Sequence, residues 1–177
     1  RVAVCVGGIN YIAAELDELS GDIIYSTDAY GNAIYVNPAA AKVVGYSAEE
    51  LKGKNYLELV RDDFKETLAN FYTEQFVSGT PNTYFEFPAV RKNGETVWLG
   101  QRVQLLFKNG KPSGFQAIAR DITERKESEL ILTVQRDLAY KLADANDLKD
   151  AFDLILNAAV KLDGVNCGGI YVLDESA

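Results

Sequence analysis

Alternating apolar and polar positions predict an antiparallel sheet in the middle of the chain. From Tyr84 onward the apolar side chains recur at every second position, as they do in strands that bury one face. The pattern breaks at Asn93-Gly94 and at Asn109-Gly110, and Asn-Gly is the strongest short signal for a hairpin turn. Pro88 cannot donate a ladder hydrogen bond, so its strand should lie at an edge or carry a bulge. The predicted strands cover residues 84–92, 95–108 and 112–121.

The same alternation assigns the faces of these strands, because successive side chains of a strand point to opposite sides. The middle strand and the last strand each collect their apolar residues on one face. We therefore expect these two faces to belong to the core. The positions are Val97, Leu99, Val103, Leu105, Phe107, Phe115, Ala117 and Ala119.

Shorter elements precede this meander. Strands are predicted at residues 22–27 and 33–36, on either side of a Gly-containing turn. Asn37 and Pro38 favour a helix start in which Asn37 is the cap. Together with the meander, these elements describe a single α+β domain whose sheet is faced by helices.

Capping signals divide the segment between the two groups of strands. Ser47 and Glu50 form a capping box for a short helix. Asp62 or Asp63 is expected to cap a longer helix that stops at Gly79. The apolar positions of the longer helix are Phe64, Leu68, Phe71, Tyr72 and Phe76.

Helical spacing predicts further helices towards both ends of the chain. Asp121, three residues before Glu124, is placed to cap a long helix as the last strand ends. Over residues 124–145 the apolar positions recur at intervals of three and four, the spacing of a coiled-coil seam. We favour a homodimer through this seam over a lone helix that folds back onto the sheet. The seam consists of Ile131, Val134, Leu138 and Leu142, and an N-terminal stripe consists of Ile9, Ile12, Ala13, Leu16 and Leu19.

The composition limits the kinds of binding and catalytic site that the chain can form. The net charge is −8, from 18 basic and 26 acidic residues, so the field of the protein repels nucleic acid. The chain has no histidine, which removes the commonest metal ligand and the His-dependent nucleophile pairs. We therefore predict no catalytic residues and no metal site, and we expect any kinase activity of a parent protein to lie outside this segment.

Cysteine usage and hydropathy suggest where the protein works. Cys5 and Cys167 are its two cysteines, and their separation fits a reducing cytoplasm. No apolar run approaches the ~20 residues that span a bilayer, so no membrane contact is predicted. Because the chain does not begin with Met, we expect it to be a piece of a longer protein.

Six motifs occur in a fixed order between residues 26 and 126. They are S-T-D at 26–28, Y-V-N-P-A-A at 35–40, G-Y-S-A-E-E-L at 45–51, G-K-N-Y at 53–56, R-K-N-G-E-T-V-W at 91–98 and R-D-I-T-E-R-K at 120–126. As a set they resemble a PAS domain over about residues 20–126. The resemblance implies an α+β sensory module in which a five-stranded antiparallel sheet with flanking short helices surrounds a small-molecule pocket. Such a module passes its signal into a coiled coil, here the long helix that follows the sheet.

Residues 145–174 resemble the opening helix and first strand of a GAF domain, with the strand at 167–173. The whole chain is similar to the input regions of prokaryotic sensor histidine kinases in two-component systems. The predicted organisation is an N-terminal segment at 1–20, a PAS domain at 21–123, a signalling helix at 124–145 and a truncated GAF-like start at 146–177. A downstream output domain of the same protein is implied.

Two departures from the PAS pattern bear on cofactors. Tyr56 stands where the flavin-binding photosensor branch has its reactive cysteine, which argues against thiol–flavin chemistry. The missing histidine argues against a His-ligated haem. The identity of any ligand therefore stays unknown.

A pocket can still be outlined around Gln101, the one polar residue on the apolar face of the middle strand. Leaving a buried amide unpaired costs ~1–3 kcal/mol, so its partner is a ligand, a water molecule, or the hydroxyl of Tyr25 or Thr27. A satisfied core glutamine is the favoured interpretation. The candidate pocket residues are Tyr25, Thr27, Tyr56, Phe71, Phe87, Gln101, Val103 and Ala117.

The leading hypothesis is a sensory and transmitter module that binds a small ligand or a partner. Asp121, Ile122 and Thr123 would relay the change in the sheet to the dimeric helix. The alternative is a dimerisation and interaction spacer without a ligand, which predicts a sheet face filled by side chains.

Overall fold

The computed structural model describes residues 5–6, 9–10, 21–143, 148–161 and 169–170. The strands are β1 (Cys5–Val6), β2 (Ile9–Asn10), β3 (Ile23–Asp28), β4 (Ala33–Val36), β5 (Asn82–Val90), β6 (Thr96–Lys108) and β7 (Lys111–Asp121). The α-helices are α1 (Ala39–Val43), α2 (Ala48–Leu51), α3 (Asp62–Ser78), α4 (Thr123–Ala143) and α5 (Leu148–Ala159), and a 3₁₀ helix covers Tyr56–Leu59.

Five of the strands form one antiparallel sheet in the order β4-β3-β7-β6-β5. The two predicted Asn-Gly hairpins join β5 to β6 and β6 to β7, and Asn109 and Gly110 both take positive φ angles of 53° and 76°. β5 lies at an edge of the sheet, as Pro88 requires. The α+β fold with flanking short helices is therefore confirmed, and so are the strand and hairpin positions to within two residues.

The core lies between the inner face of the sheet and the short helices. Leu68 of α3 and Ala40 of α1 are fully buried against the alternate residues of the central strands. The capping box at the start of α2 is present with both hydrogen bonds, and α3 ends at Gly79 in the left-handed conformation, as predicted. The central strands contribute Ile23, Val97, Leu99, Val103, Leu105, Phe115, Ala117 and Ala119.

The predicted helix caps at Asn37 and at Asp62 or Asp63 are wrong. The buried Asn37 side chain accepts a hydrogen bond from the Ile24 amide and donates one to the Asp22 carbonyl, both at 3.0 Å. It therefore satisfies backbone groups beside β3 instead of the helix. Asp62 and Asp63 lie inside the first turn of α3, where their charge is favourable beside the helix N-terminus.

Phe107 is not on the buried face that alternation predicts. The pairing of β6 with β7 shifts register between Leu106 and Phe107, and a bulge of this kind ends the alternation. Phe107 is consequently 52% exposed.

The ends of the chain differ from two further predictions. Ile9 belongs to the two-residue strand β2, which pairs with β1, whereas the other predicted stripe positions lie outside the described residues. In the predicted strand at 167–173, the described residues 169–170 are exposed and outside any strand, since a strand needs a partner to complete its ladder. By contacts between residues, the chain divides into Arg1–Thr123 and Glu124–Ala177.

Candidate functional site

Gln101 is the centre of a buried hydrogen-bonded chain. Its side chain is 1% exposed on β6. The Tyr25 hydroxyl donates to Gln101 Oε1 at 2.7 Å, and Gln101 Nε2 donates to the Tyr72 hydroxyl at 2.8 Å. Gln101 is thus paired with one of the two hydroxyls considered from the sequence and with a second tyrosine from α3. The other considered hydroxyl, of Thr27, donates to the backbone of Asp28.

Burial raises the pKa values of the tyrosines of this region. It raises the pKa of Tyr25 well above the ordinary value, and the neighbouring Tyr72 adds to the rise. Burial likewise raises the pKa of Tyr72 and brings that of Tyr56 to about 12. Desolvation disfavours the charged phenolate in each case. The hydroxyls of Tyr25 and Tyr72 therefore stay protonated and available for the hydrogen bonds with Gln101.

A cavity of about 60 Å³ lies on the inner face of the sheet beside Gln101. Its lining is almost wholly apolar, and it includes four alanines from four different elements. Of the predicted pocket residues, Tyr25, Tyr56, Phe87 and Gln101 line it. The remaining lining residues are Ile23, Ala33, Val36, Ala40, Val44, Leu51, Lys54, Asn55, Leu59, Ala89, Leu99 and Ala119.

The other predicted pocket residues do not line this cavity. Thr27, Val103 and Ala117 line a much smaller void of about 10 Å³, together with Phe115. Phe71 packs against Tyr72 and Phe85, with ring centroids 5.3 and 4.7 Å away. The sequence-predicted set therefore divides into a group at the cavity and a group that fills the core.

Tyr56 lines three neighbouring spaces in this region. Its ring lines the cavity, the small void and a surface groove of about 170 Å³ beside the β3–β4 turn. The ring packs edge-on to Tyr72 at 5.7 Å and lies directly against Gly31. A Cβ atom at Gly31 would come within 2.6 Å of the ring. The turn can therefore hold Tyr56 in place only while residue 31 is glycine.

The junction between β7 and α4 is tied to the sheet by backbone hydrogen bonds. The Ile122 amide donates to the Trp98 carbonyl at 2.9 Å, and the Trp98 amide donates to Thr123 Oγ1 at 3.0 Å. Asp121 accepts from the Thr123 amide with one oxygen and from Arg91 with the other, at 2.9 and 3.1 Å. Asp121 accepts from a free amide at the start of the helix, as predicted, but that amide belongs to Thr123 and not to Glu124. Among these described residues the predicted capping box between Asp121 and Glu124 is therefore not formed.

The predicted seam of α4 is only partly covered. No side chain of α4, described over its full length, is buried. Ile131 is 45% exposed, and Val134, Leu138 and Leu142 are of intermediate exposure. These positions remain predictions for a dimer contact.

Sequence reasoning missed Tyr72 as a partner of Gln101, although it assigned Tyr72 to the apolar face of α3. The helical spacing could have found it, because the same stripe carries Phe71 and Phe76 into the core. The four alanines were missed as cavity walls because a small side chain gives no signal of the space in front of it.

Comparison with known families agrees with this geometry. Residues 21–124 match the family model described as PAS domain. This chain belongs to the PAS domain family. The match covers the whole five-stranded sheet, its flanking helices and the junction to α4, so residues 21–123 are called the PAS domain from here on.

Two curated relatives are signalling enzymes by name. The chain is 32% identical over 120 residues to the probable diguanylate cyclase DgcE of Escherichia coli, which covers 66% of this chain and 10% of that protein. It is 28% identical over 109 residues to sporulation kinase C of Bacillus subtilis, which covers 61% of this chain and 25% of that protein. The chain thus spans at most a quarter of these relatives, and the similarity shows a sensory domain shared by signalling proteins.

A solved structure shares the fold. A sensory box histidine kinase/response regulator from Burkholderia thailandensis superposes with a TM-score of 0.62 at 21% identity, over 72% of this chain and 97% of that one. Among the helices that the structure describes here, none is long and apolar enough to cross a bilayer.

Proposed function

We propose that this chain is the input and transmitter segment of a larger signalling protein, in which the PAS domain binds a small molecule and passes the change to α4. In such a protein a ligand shifts the balance between two states only by binding one of them more tightly. The cavity beside Gln101 is the candidate site for that ligand.

The observation that carries the proposal is the junction at residues 121–123. The peptide groups of Trp98, on the inner strand β6, form hydrogen bonds with both Ile122 and Thr123. Asp121 joins Arg91, at the end of β5, to the first amide of α4. A movement of β5 or β6 would therefore reach the first residues of the helix without an intervening flexible segment.

The curated relatives support the proposal that the chain is part of a larger signalling protein. A diguanylate cyclase and a sporulation kinase each carry a segment similar to this one as a small share of their length. A sensor kinase or a cyclase is thus a suitable class of parent protein. The GAF-like start at 146–177 and the cytoplasmic location belong to this proposal as well.

The test is Asp121→Ala in the parent protein, with its output activity measured with and without stimulus. The change removes one helix cap, which costs about 1 kcal/mol, so the domain should stay folded. We expect the output to lose its dependence on stimulus. Asp62→Ala is the control, because Asp62 is also an exposed aspartate at the start of a helix, paired with Lys65. An unchanged stimulus response in Asp121→Ala would refute the relay.

One observation favours a second function, a dimerisation spacer without a ligand. Gln101 is already paired with Tyr25 and Tyr72, so no ligand is needed to satisfy it. Native mass spectrometry of the chain, compared with its denatured mass, separates the two. A dimer that retains extra mass supports the sensor, and a dimer of bare chains supports the spacer. A monomer argues against the α4 seam in either function.

A further inference from the structure

We propose that the cavity beside Gln101 takes a small, uncharged, apolar molecule of only a few heavy atoms. The inference rests on the proposed sensory function and specifies the class of ligand. It is drawn from the size of the cavity, from the side chains of its wall and from the hydrogen bonds that its polar groups already make.

Size sets the upper limit. The cavity has about 60 Å³, whereas an engineered cavity of about 150 Å³ in another protein holds one benzene molecule. A single water molecule needs roughly 10–15 Å³ on this kind of measure. The space therefore suits a molecule smaller than benzene, such as a xenon atom or a compound of three or four heavy atoms.

Most of the wall is aliphatic. Ala40, Ala89 and Ala119 present single methyl groups, and they are between 0% and 1% exposed. Val44, Leu51 and Leu99 complete the adjoining surface with larger aliphatic groups. Cavities with apolar walls accept apolar guests, and the aliphatic part of this wall suits such a guest.

Three polar side chains of the wall, those of Tyr25, Gln101 and Asn55, are hydrogen-bonded within the protein. The Tyr25 hydroxyl donates its proton to Gln101, and the Gln101 amide donates to the Tyr72 hydroxyl. Asn55 accepts from the Leu57 amide and donates to the Tyr30 carbonyl. A polar guest would lose its bonds to water and would meet a wall whose polar side chains are few and mostly bonded to other protein groups, which is unfavourable.

The wall contains one charged side chain, and its surroundings argue against an ionic guest. Lys54 has a side chain 43% exposed, an ion pair with Glu58 at 3.6 Å, and a position 5.7 Å from the centre of the Tyr46 ring. Its charge is therefore balanced at the surface and does not need an anion in the cavity. A carboxylate or phosphate would enter without a buried counter-charge, which is strongly unfavourable.

The test uses xenon as the apolar probe, acetamide as a polar probe of similar size and benzene as the larger probe. Each is titrated into the isotope-labelled 177-residue chain, and the methyl and amide resonances are followed by NMR. We expect saturable shifts of the Val44, Leu51 and Leu99 methyl resonances with xenon, and at least tenfold weaker effects with acetamide and benzene. Saturable binding of acetamide in preference to xenon, or no xenon binding at all, would overturn the proposed class.

Two matched variants localise the effect. Ala40→Val places two methyl groups in the cavity and should abolish the xenon shifts. Ala41→Val makes the same change one residue later in α1, at an exposed position, and should leave them intact. If Ala40→Val does not fold, Ala119→Val serves the same purpose from β7. Xenon shifts that persist in a folded cavity-filling variant would also overturn the assignment.

The same spectra separate this inference from the relay. If xenon binds and the Ile122 and Thr123 amides shift with it, both the ligand class and the coupling are supported. If xenon binds and those amides do not move, the ligand class stands and the relay is contradicted. If xenon does not bind while Asp121→Ala still abolishes the stimulus response of the parent, the ligand class alone is wrong.

Discussion

Two regions of the PAS core, on either side of Gln101, are filled in different ways. On one side the rings of Phe71, Tyr72, Phe85 and Phe115 pack against one another, with centroids 4.7–6.0 Å apart. On the other side the corresponding elements contribute alanines, and a cavity of about 60 Å³ is left between them. Both regions are built on the same strands, because β7 carries Phe115 and Ala119 and β5 carries Phe85 and Ala89.

The two regions contribute differently to the stability of the domain. Interlocking aromatic rings bury much area and have favourable edge contacts. An empty cavity of about 60 Å³ costs roughly 1.4 kcal/mol at about 24 cal/mol per Å³. The aromatic region therefore stabilises the domain, whereas the alanine region costs stability and leaves the space in which we propose that a guest binds.

The largest loss of stability should come from removing a ring from the aromatic region. Phe115→Ala removes a ring that contacts Tyr72 and Phe76 and should lower the free energy of unfolding by about 3–5 kcal/mol, measured by urea denaturation. Phe107→Ala is the control, since its 52% exposure predicts a loss below about 1 kcal/mol. Equal losses in the two variants would mean that the aromatic region is not the stabilising one.

A smaller effect should distinguish two alanines of the same face of β7. Ala117 borders a void of only about 10 Å³, so Ala117→Val should overpack the core and cost about 1–3 kcal/mol. Ala119 borders the larger cavity, so Ala119→Val should change the free energy of unfolding by less than about 1 kcal/mol. Thermal and urea denaturation of both variants measures the difference. If Ala119→Val is the more damaging change, the two regions have been assigned the wrong way round.

The smallest effect concerns Tyr56, which lines both regions. Its folded-state pKa of about 12 exceeds the ~10 of an unfolded chain, because burial disfavours the phenolate. Its contribution to stability is therefore complete below pH ~10 and is lost as the pH rises through the folded value. The difference in unfolding free energy between wild type and Tyr56→Phe should be constant up to pH ~10 and should shrink above it. Parallel curves up to pH 12 would show that Tyr56 is not buried as described.

Much of the fold was predictable from local signals. The Asn-Gly turns and the period-two alternation define β5 to β7, and the capping box defines α2, because each depends on residues close in sequence. Asn37 and Phe107 were predicted wrongly for a common reason. The Asn37 amide is used by backbone groups 13 and 15 residues away, and Phe107 is turned outward by a bulge that depends on the partner strand.

The site was predictable only in part. Gln101 was identifiable because a polar residue interrupts an apolar face, and Tyr25 was a reasonable partner on another inner strand of the sheet. Tyr72 lies 29 residues away on a helix, and no pattern in sequence gives that helix its position over the sheet. The cavity itself follows from the meeting of four alanines from β4, α1, β5 and β7, which only the three-dimensional arrangement shows.

The hydrogen bond from the Ile122 amide to the Trp98 carbonyl has a consequence for proton exchange with solvent. The first amides of a helix have no acceptor within that helix and usually exchange quickly. The Ile122 amide instead belongs to the ladder between β6 and β7, so its proton should exchange only when that edge of the ladder opens. The exchange rate of the Ile122 amide proton therefore reports how often the sheet opens at the residue where it ends and α4 begins.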